Sequence, residues 1–318
     1  MNSTICRRDF LAASAAAGVG LLASAEGEAA QFKTKLYKAM IDAPTEKALT
    51  ALKNAGFDGI ETSQWNVTPE RAAEGRKTAD RLGMKVHSVL FGWANFNHPD
   101  KFDQDVANVT KALQACEAYR ASALLLVPCR TGVKPIPEAW EFDIEFDEKT
   151  GHVKRVVAGD NEKYGDYIKA QNEATDVSRK AVEQLIPVAE KTGVVIALEN
   201  VWNNLWVKPA IFAQFIKSFA NRWVQCYFDI GNHVKYALPE EWIRALGKTI
   251  VKLHVKDFKL NPDGRGGKFV HPRDGSINWP LVRRELDKIG YNGWMTIEDG
   301  GLSLEEFSRR LDLIIAGK

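Results

Sequence analysis

A chain of 318 residues with 45% hydrophobic content is long enough to bury one large core or two small ones. Its 43 basic and 41 acidic side chains leave a formal charge of +2, so no global pull toward nucleic acid exists. Four cysteines, Cys6, Cys116, Cys129 and Cys226, show no C-x-x-C spacing and indicate neither a disulfide framework nor a zinc-thiolate site.

The N-terminus carries Arg7-Arg8-Asp9-Phe10-Leu11, then a weakly apolar run over residues 12–23 and the small-residue triplet Ala23-Ser24-Ala25. That layout predicts a twin-arginine export signal over residues 1–30, with the protein destined for the periplasm or secretion. The apolar run is too short for a stable membrane anchor. The alternative for this stretch is an ordinary frayed helix.

From residue 31 onward, extended runs and amphipathic helices alternate. Residues 35–42 read as a first strand, and residues 45–55 as a helix capped by Thr45 and closed by Gly56. Residues 59–62 form the second strand and 69–82 its helix. Residues 86–91 form the third strand, followed by a helix over 103–119 with Val106, Val109, Leu113 and Cys116 at helical spacing. The fourth strand is 123–127. The pattern then breaks, because residues 140–146 alternate strictly and precede the turn-like 147–151 and a second run at 152–157. This predicts a β-hairpin inserted after the fourth strand, a functional rim or a mere ornament. A long helix over 167–192 restores the alternation, and three more strand–helix units follow the fifth strand, closing with a helix over 303–315. Eight strands alternating with eight helices, with no Gly-x-Gly-x-x-Gly after the first strand, predict an α/β fold: a single (β/α)8 TIM barrel over residues 31–318.

Four of these strands end alike. The fifth, Val-Val-Ile-Ala-Leu, ends in Glu199; the sixth ends in Asp229, the seventh in His254 and the eighth in Glu298. One polar residue at a strand end is ordinary, but a parallel barrel gathers all its strand C-termini at one mouth. Three carboxylates crowded there would repel unless some were protonated or a cation lay between them. Three oxygen donors and one imidazole suit a single divalent ion, Mn2+ before Mg2+, Co2+ or Zn2+. Along the seventh strand, Lys256 points the same way as His254, where it could stabilise an oxyanion or transfer a proton, or simply be a solvated surface lysine. Asn232 and His233 follow a glycine turn after Asp229, and one of them is expected to contact substrate. Glu61 and His87 on the second and third strands are further mouth candidates, with a structural role as the alternative for each. Trp65, Trp93, Trp202 and Trp206 follow strand ends and could face a sugar ring or close the barrel. His271 and Arg273, in the loop after the seventh strand, could approach the polar end of a substrate.

The ordered set Ala-Leu-Glu199-Asn, Phe-Asp229-Ile-Gly-Asn, Leu-His254-Val-Lys-Asp and Thr-Ile-Glu298-Asp, with the Gly-Ser-Ile-Asn-Trp279 turn, resembles the xylose isomerase-like TIM-barrel superfamily. Within it, the chain is most similar to the branch of sugar isomerases and epimerases that includes ketose 3-epimerases, inosose dehydratases and hydroxypyruvate isomerases. The resemblance implies one divalent metal held by Glu199, Asp229, His254 and Glu298. It also implies that Glu199 and Glu298 act as an acid/base pair flanking the carbon beside a carbonyl, one removing its proton and the other returning one. The position six residues after His254, an arginine in many epimerase members, is Leu260 here, which shifts the oxyanion role to Lys256 or Arg273.

The function this implies is a metal-dependent isomerase or epimerase of a non-phosphorylated keto-sugar. The alternatives are a lyase or dehydratase of a 3-keto-sugar, glycoside or inosose, and a non-catalytic sugar-binding barrel. Endonuclease IV shares the superfamily, but its three-zinc site needs more histidines than the six present here, and Phe269 stands where an Asp-x-His pair would need Asp. The expected partners are therefore a small-molecule sugar and a second copy of the chain, without nucleic acid or a membrane anchor.

Overall fold

The computed structural model describes residues 32–318; the predicted export signal, residues 1–30, lies outside the described residues. The chain opens with β1 (Leu36–Ile41), α1 (Glu46–Asn54), β2 (Gly59–Thr62), α2 (Pro69–Arg81), β3 (Lys85–Trp93), α3 (Phe102–Tyr119) and β4 (Ala123–Val127). The inserted hairpin follows as β5 (Phe142–Phe146) and β6 (Val153–Val157), before the long α4 (Gly165–Thr192) and β7 (Val195–Leu198). Next come α5 (Pro209–Ser218), β8 (Val224–Asp229), α6 (Pro239–Leu246) and β9 (Ile250–Val255). A second antiparallel ribbon, β10 (Asp257–Leu260) with β11 (Gly267–Val270), was not anticipated from the sequence and follows β9 directly. The chain closes with α7 (Trp279–Ile289), β12 (Gly293–Ile297) and α8 (Leu304–Ile315). Among the described residues, no helix is long and apolar enough to cross a membrane.

Eight strands form a closed barrel in the order β1-β12-β9-β8-β7-β4-β3-β2, and every neighbouring pair is parallel. Local chemistry sets the helix ends. Thr45, Thr68 and Ser303 each accept an N–H from the first turn of the following helix, and left-handed Gly193 and Gly290 end α4 and α7. The predicted apolar face of α3 is buried at Val109, Leu113 and Cys116, where it packs between barrel and solvent. Each such side chain contributes roughly 1.5–3 kcal/mol relative to exposure. The inward faces of β4, β7 and β8 meet at Ala123, Leu125, Val127, Ala197 and Tyr227. Cys116, Cys129 and Cys226 are free and buried, and burial pushes the Cys129 thiol up to about 11, which suits small packing groups rather than nucleophiles.

The barrel's closure is held from outside by one buried cation. The Arg283 guanidinium on α7 donates to Thr34 Oγ1 (2.8 Å), to the Thr34 carbonyl (2.8 Å) and to the Ile315 carbonyl (3.0 Å), and stacks on Phe32 at 3.8 Å. It ties the chain entering β1 to the end of α8. Replacing it strands three acceptors in a dry site. Arg283→Ala is expected to lower unfolding free energy by about 3 kcal/mol, measured by urea unfolding, with the barrel's circular dichroism spectrum retained.

Candidate metal centre

Because β7, β8, β9 and β12 are consecutive around the barrel, their C-terminal ends form one arc of its mouth. Glu199 follows β7, Asp229 ends β8, His254 lies near the end of β9 and Glu298 follows β12. Register places Asp229 beside His254. One ligand atom from each of the four lies within 4.8 Å of the others. Glu199, Asp229 and His254 are buried, while the Glu298 side chain keeps 33% exposure and opens the cluster to solvent.

The donor atoms are oriented by a second set of bonds. Glu61, on β2, accepts from His254 Nε2 at 2.7 Å and from the Tyr227 hydroxyl at 2.7 Å, and also from Ser88. With Nε2–H committed to Glu61, His254 turns Nδ1 toward Glu298 Oε2, 2.8 Å away. The backbone N–H groups of Gly231 and Asn232 both donate to Asp229 Oδ1 at 2.8 Å, leaving Oδ2 facing the cluster. Asp229 Oδ2, His254 Nδ1 and Glu298 Oε2 are buried without a well-formed hydrogen bond. Their close neighbours are one another and the Lys256 ammonium, which lies 3.1 Å from Asp229 and 2.9 Å from Glu298. Converging buried donors that lack hydrogen bonds, two carboxylates and an imidazole among them, fit a hard divalent ion.

Electrostatics point the same way. Four carboxylates, Glu61, Glu199, Asp229 and Glu298, face two lysines, Lys256 at the cluster and the buried Lys252 near Glu61, and one imidazole, His254. In the metal-free protein, burial pushes Glu199 up to about 8 and Asp229 up to about 6. Burial would also raise Glu298, but His254 and Lys256 outweigh it and hold that carboxyl well below its usual range. Burial lowers the Lys256 ammonium, yet Asp229 and Glu298 more than offset this and keep it charged. A group that stays charged suits the oxyanion role better than proton transfer. Gly231 is required beside it, because a Cβ there would meet Lys256 Cγ at 2.5 Å and its carbonyl oxygen at 2.8 Å.

The remaining sequence-selected residues separate into two groups. Asn232 is at the cluster, donating to Glu199 Oε1 at 3.3 Å, and Trp202 and His271 lie near it: Trp202 donates to the Asn232 carbonyl at 2.6 Å, and His271 lines the adjoining cavity. Glu61, expected to touch substrate, is instead fully buried against His254 and orients it. His87, also expected at the mouth, stacks on Trp294 near the start of β12 at 4.5 Å and pairs with Thr296, so it fills the barrel interior. His233 is buried between the Asp229 carbonyl and Asn200, and burial lowers it to about 3, so it braces the loop as a neutral ring. Trp206 is buried against Phe215, and Trp93 is 41% exposed under the Arg130 guanidinium. Arg273 is exposed; its backbone N–H bonds Asp257, and its side chain is not among those lining the cavity. Sequence reasoning missed Lys259 and Lys268, which line that cavity from the unforeseen ribbon.

A family model described as xylose isomerase-like TIM barrel matches residues 49–309. The chain belongs to the xylose isomerase-like TIM-barrel family. An uncharacterized protein of Methanocaldococcus jannaschii is 27% identical over 134 residues, a match spanning 40% of this chain and 44% of that relative. Solved structures share the fold at low identity. A D-tagatose 3-epimerase-like protein has a TM-score of 0.65 at 18% identity, covering 88% of this chain and 98% of its own. The E. coli 3-keto-D-glucoside 4-epimerase has 0.64 at 13%, covering 88% and 99%. The IolI protein with a bound zinc atom has 0.65 at 17%, covering 88% and 96%.

Two measurements probe the centre of this xylose isomerase-like barrel. Glu61→Gln keeps an acceptor for His254 but removes the charge behind it, so Mn2+ affinity is expected to fall about 10- to 100-fold by calorimetric titration, with the fold intact. The second concerns pH. Glu199 and Asp229 have folded pKa values above their unfolded ones, and the carboxylates around His254 raise its pKa against the opposing effect of burial. Buried His87 and His233, whose pKa values are lowered, bind fewer protons than in the unfolded chain and offset this at acid pH, so the folded metal-free protein holds the excess of protons, and loses stability as pH rises, between about 6.5 and 8. Saturating Mn2+ is expected to abolish or reverse that slope in Tm, read by differential scanning calorimetry.

Proposed function

We propose that this protein is a divalent-metal-dependent isomerase or epimerase that removes the hydrogen beside the carbonyl of a non-phosphorylated keto-sugar. The observation that carries the reading is the convergence of Glu199, Asp229, His254 and Glu298 within 4.8 Å, where the buried Asp229 Oδ2, His254 Nδ1 and Glu298 Oε2 have only one another and Lys256 as close neighbours. Mn2+ suits this oxygen-rich set best, with Mg2+, Co2+ or Zn2+ as alternatives; the zinc bound to the IolI neighbour supports a divalent ion here. The ion, when bound, supplies the charge that makes a hydrogen next to a carbonyl removable.

The chain's own groups divide the work. Glu298, open to the cavity and kept ionised by His254 and Lys256, takes the proton from the carbon beside the carbonyl. Glu199, separated from it by the two strands β8 and β9, lies at the opposite edge of the arc and returns a proton to give the inverted centre. Lys256 offers its ammonium to the oxygen on which charge develops. Asn232 and Trp202 limit how the sugar can sit. The D-tagatose 3-epimerase-like and 3-keto-glucoside epimerase neighbours support the substrate class. Export through the twin-arginine route, with a dimer as the working form, completes the reading.

A lyase or dehydratase acting on a 3-keto-glycoside or inosose begins with the same proton removal and differs only in expelling a group afterwards. The test is incubation of Mn2+-loaded protein with keto-sugars and 3-keto-glycosides in deuterated water. One C–H position is expected to exchange, with an epimeric product and no eliminated group. Glu298→Gln and Glu199→Gln are each expected to slow exchange by a factor of 100 or more, in keeping with loss of a general acid or base. Exchange unchanged in both variants would overturn the assignment, and an unsaturated product would make the protein a lyase.

A further inference from the structure

The cavity that opens from Glu298 has a volume of about 630 Å³ and is walled on one side by the β10–β11 ribbon. Lys259 and Lys268 are directly opposed in the register of that ribbon and both line the cavity. Like charges placed face to face across two strands repel. The acids of the wall have other partners. Asp274 is paired with Arg310 at 2.9 Å, Asp299 with His271 at 2.8 Å, and Glu298 with His254 and Lys256. Among the described residues, neither Lys259 nor Lys268 makes an ion pair. The other face of the ribbon carries Phe258 and Phe269 against Trp202, and Phe269 also lines the cavity, whose wall thus combines the exposed Lys259 and Lys268 with an aromatic edge. Exposed strands often carry lysines to block edge pairing, but such residues need not line the site next to the catalytic cluster.

We infer that the sugar carries an oxyanion substituent at the end remote from its carbonyl, held between Lys259 and Lys268 while the carbonyl end reaches Glu298 and Lys256. A carboxylate on a keto-hexuronate fits the proposed non-phosphorylated substrate, and a phosphate ester would use the same lysines. This inference rests on the proposed function for the location of the carbonyl, and its test reads binding rather than turnover.

Mn2+-loaded full-length protein is titrated calorimetrically with D-fructose, D-fructuronate and D-fructose 6-phosphate, three probes with one carbon skeleton. At least one charged sugar is expected to bind about tenfold more tightly than D-fructose, with a preference that shrinks as salt rises. Which charged sugar binds better identifies the oxyanion. The double variant Lys259→Gln, Lys268→Gln is expected to reduce that preference to within about twofold while leaving D-fructose affinity and Mn2+ affinity unchanged. Equal affinity for all three probes, failure of both charged sugars to bind, or a preference that survives in the double variant overturns the inference. A double variant that only aggregates more readily, with ligand preference intact, makes the lysines edge guards. Loss of hydrogen exchange on every sugar with the charge preference retained would remove the proposed reaction and leave the anion subsite standing.

Discussion

The orientation of the imidazole at the barrel mouth depends on the contact between Glu61 and the Nε2–H of His254. Glu61 has no solvent exposure and His254 almost none. An ionised carboxylate buried alone would cost several kcal/mol, so its retention requires partners on each oxygen. It has them: Oε1 meets His254, and Oε2 receives the hydroxyls of Tyr227 and Ser88. The pair decides which imidazole nitrogen is a donor, and with that the direction of the other. Without this contact His254 could turn, and the four strand ends would lose their only nitrogen ligand.

The cluster above this pair remains negatively biased, which links fold to chemistry. Lys256 partly offsets the excess by leaning between Asp229 and Glu298, and the glycine at 231 gives it room. The two glutamates experience different surroundings. Glu199 is walled in, with Asn232 as a donor, whereas Glu298 is flanked by two cations and faces water. In the metal-free protein, surroundings alone thus drive two carboxyl groups of one residue type apart in proton affinity.

The strand ends were legible because a two-residue period and an abrupt polar stop survive in any sequence listing, and the barrel rule then brings stops from distant segments to one side. Depth was not legible. Glu61 and His87 both point inward, as their positions suggested, but pairing between β2 and β3 shifts register after Ile60: Val86 opposes Ile60 and Ser88 opposes Glu61, so His87 is skipped and reaches across to Trp294. A slip of this kind leaves no trace in composition. Spacing alone left Asn232 and His233 undecided, and the tight turn after Asp229 separates them: it sends the His233 ring back to its own backbone and leaves Asn232 at Glu199. The β10–β11 ribbon escaped notice because its strands have only four residues each and its connection, rich in Gly, Asn and Asp, has the composition of a loop.

That ribbon is the part of the mouth not dictated by the barrel. Asp257 anchors its root, accepting from the backbone N–H groups of Phe258 and Arg273 and from Trp279 Nε1, and Gly275 passes so near that a Cβ would strike the Asp257 carboxylate. A root bound to the start of α7 cannot swing freely, so the lysines on the ribbon keep a fixed relation to Glu298. Leu260 belongs to the ribbon's other face, and the positive charge of the cavity wall comes from Lys256, Lys259 and Lys268. The barrel therefore fixes where the four strand ends converge, and the ribbon fixes the wall of the cavity beside them. A change in the ribbon's side chains alters the second without disturbing the first, so the two can vary independently.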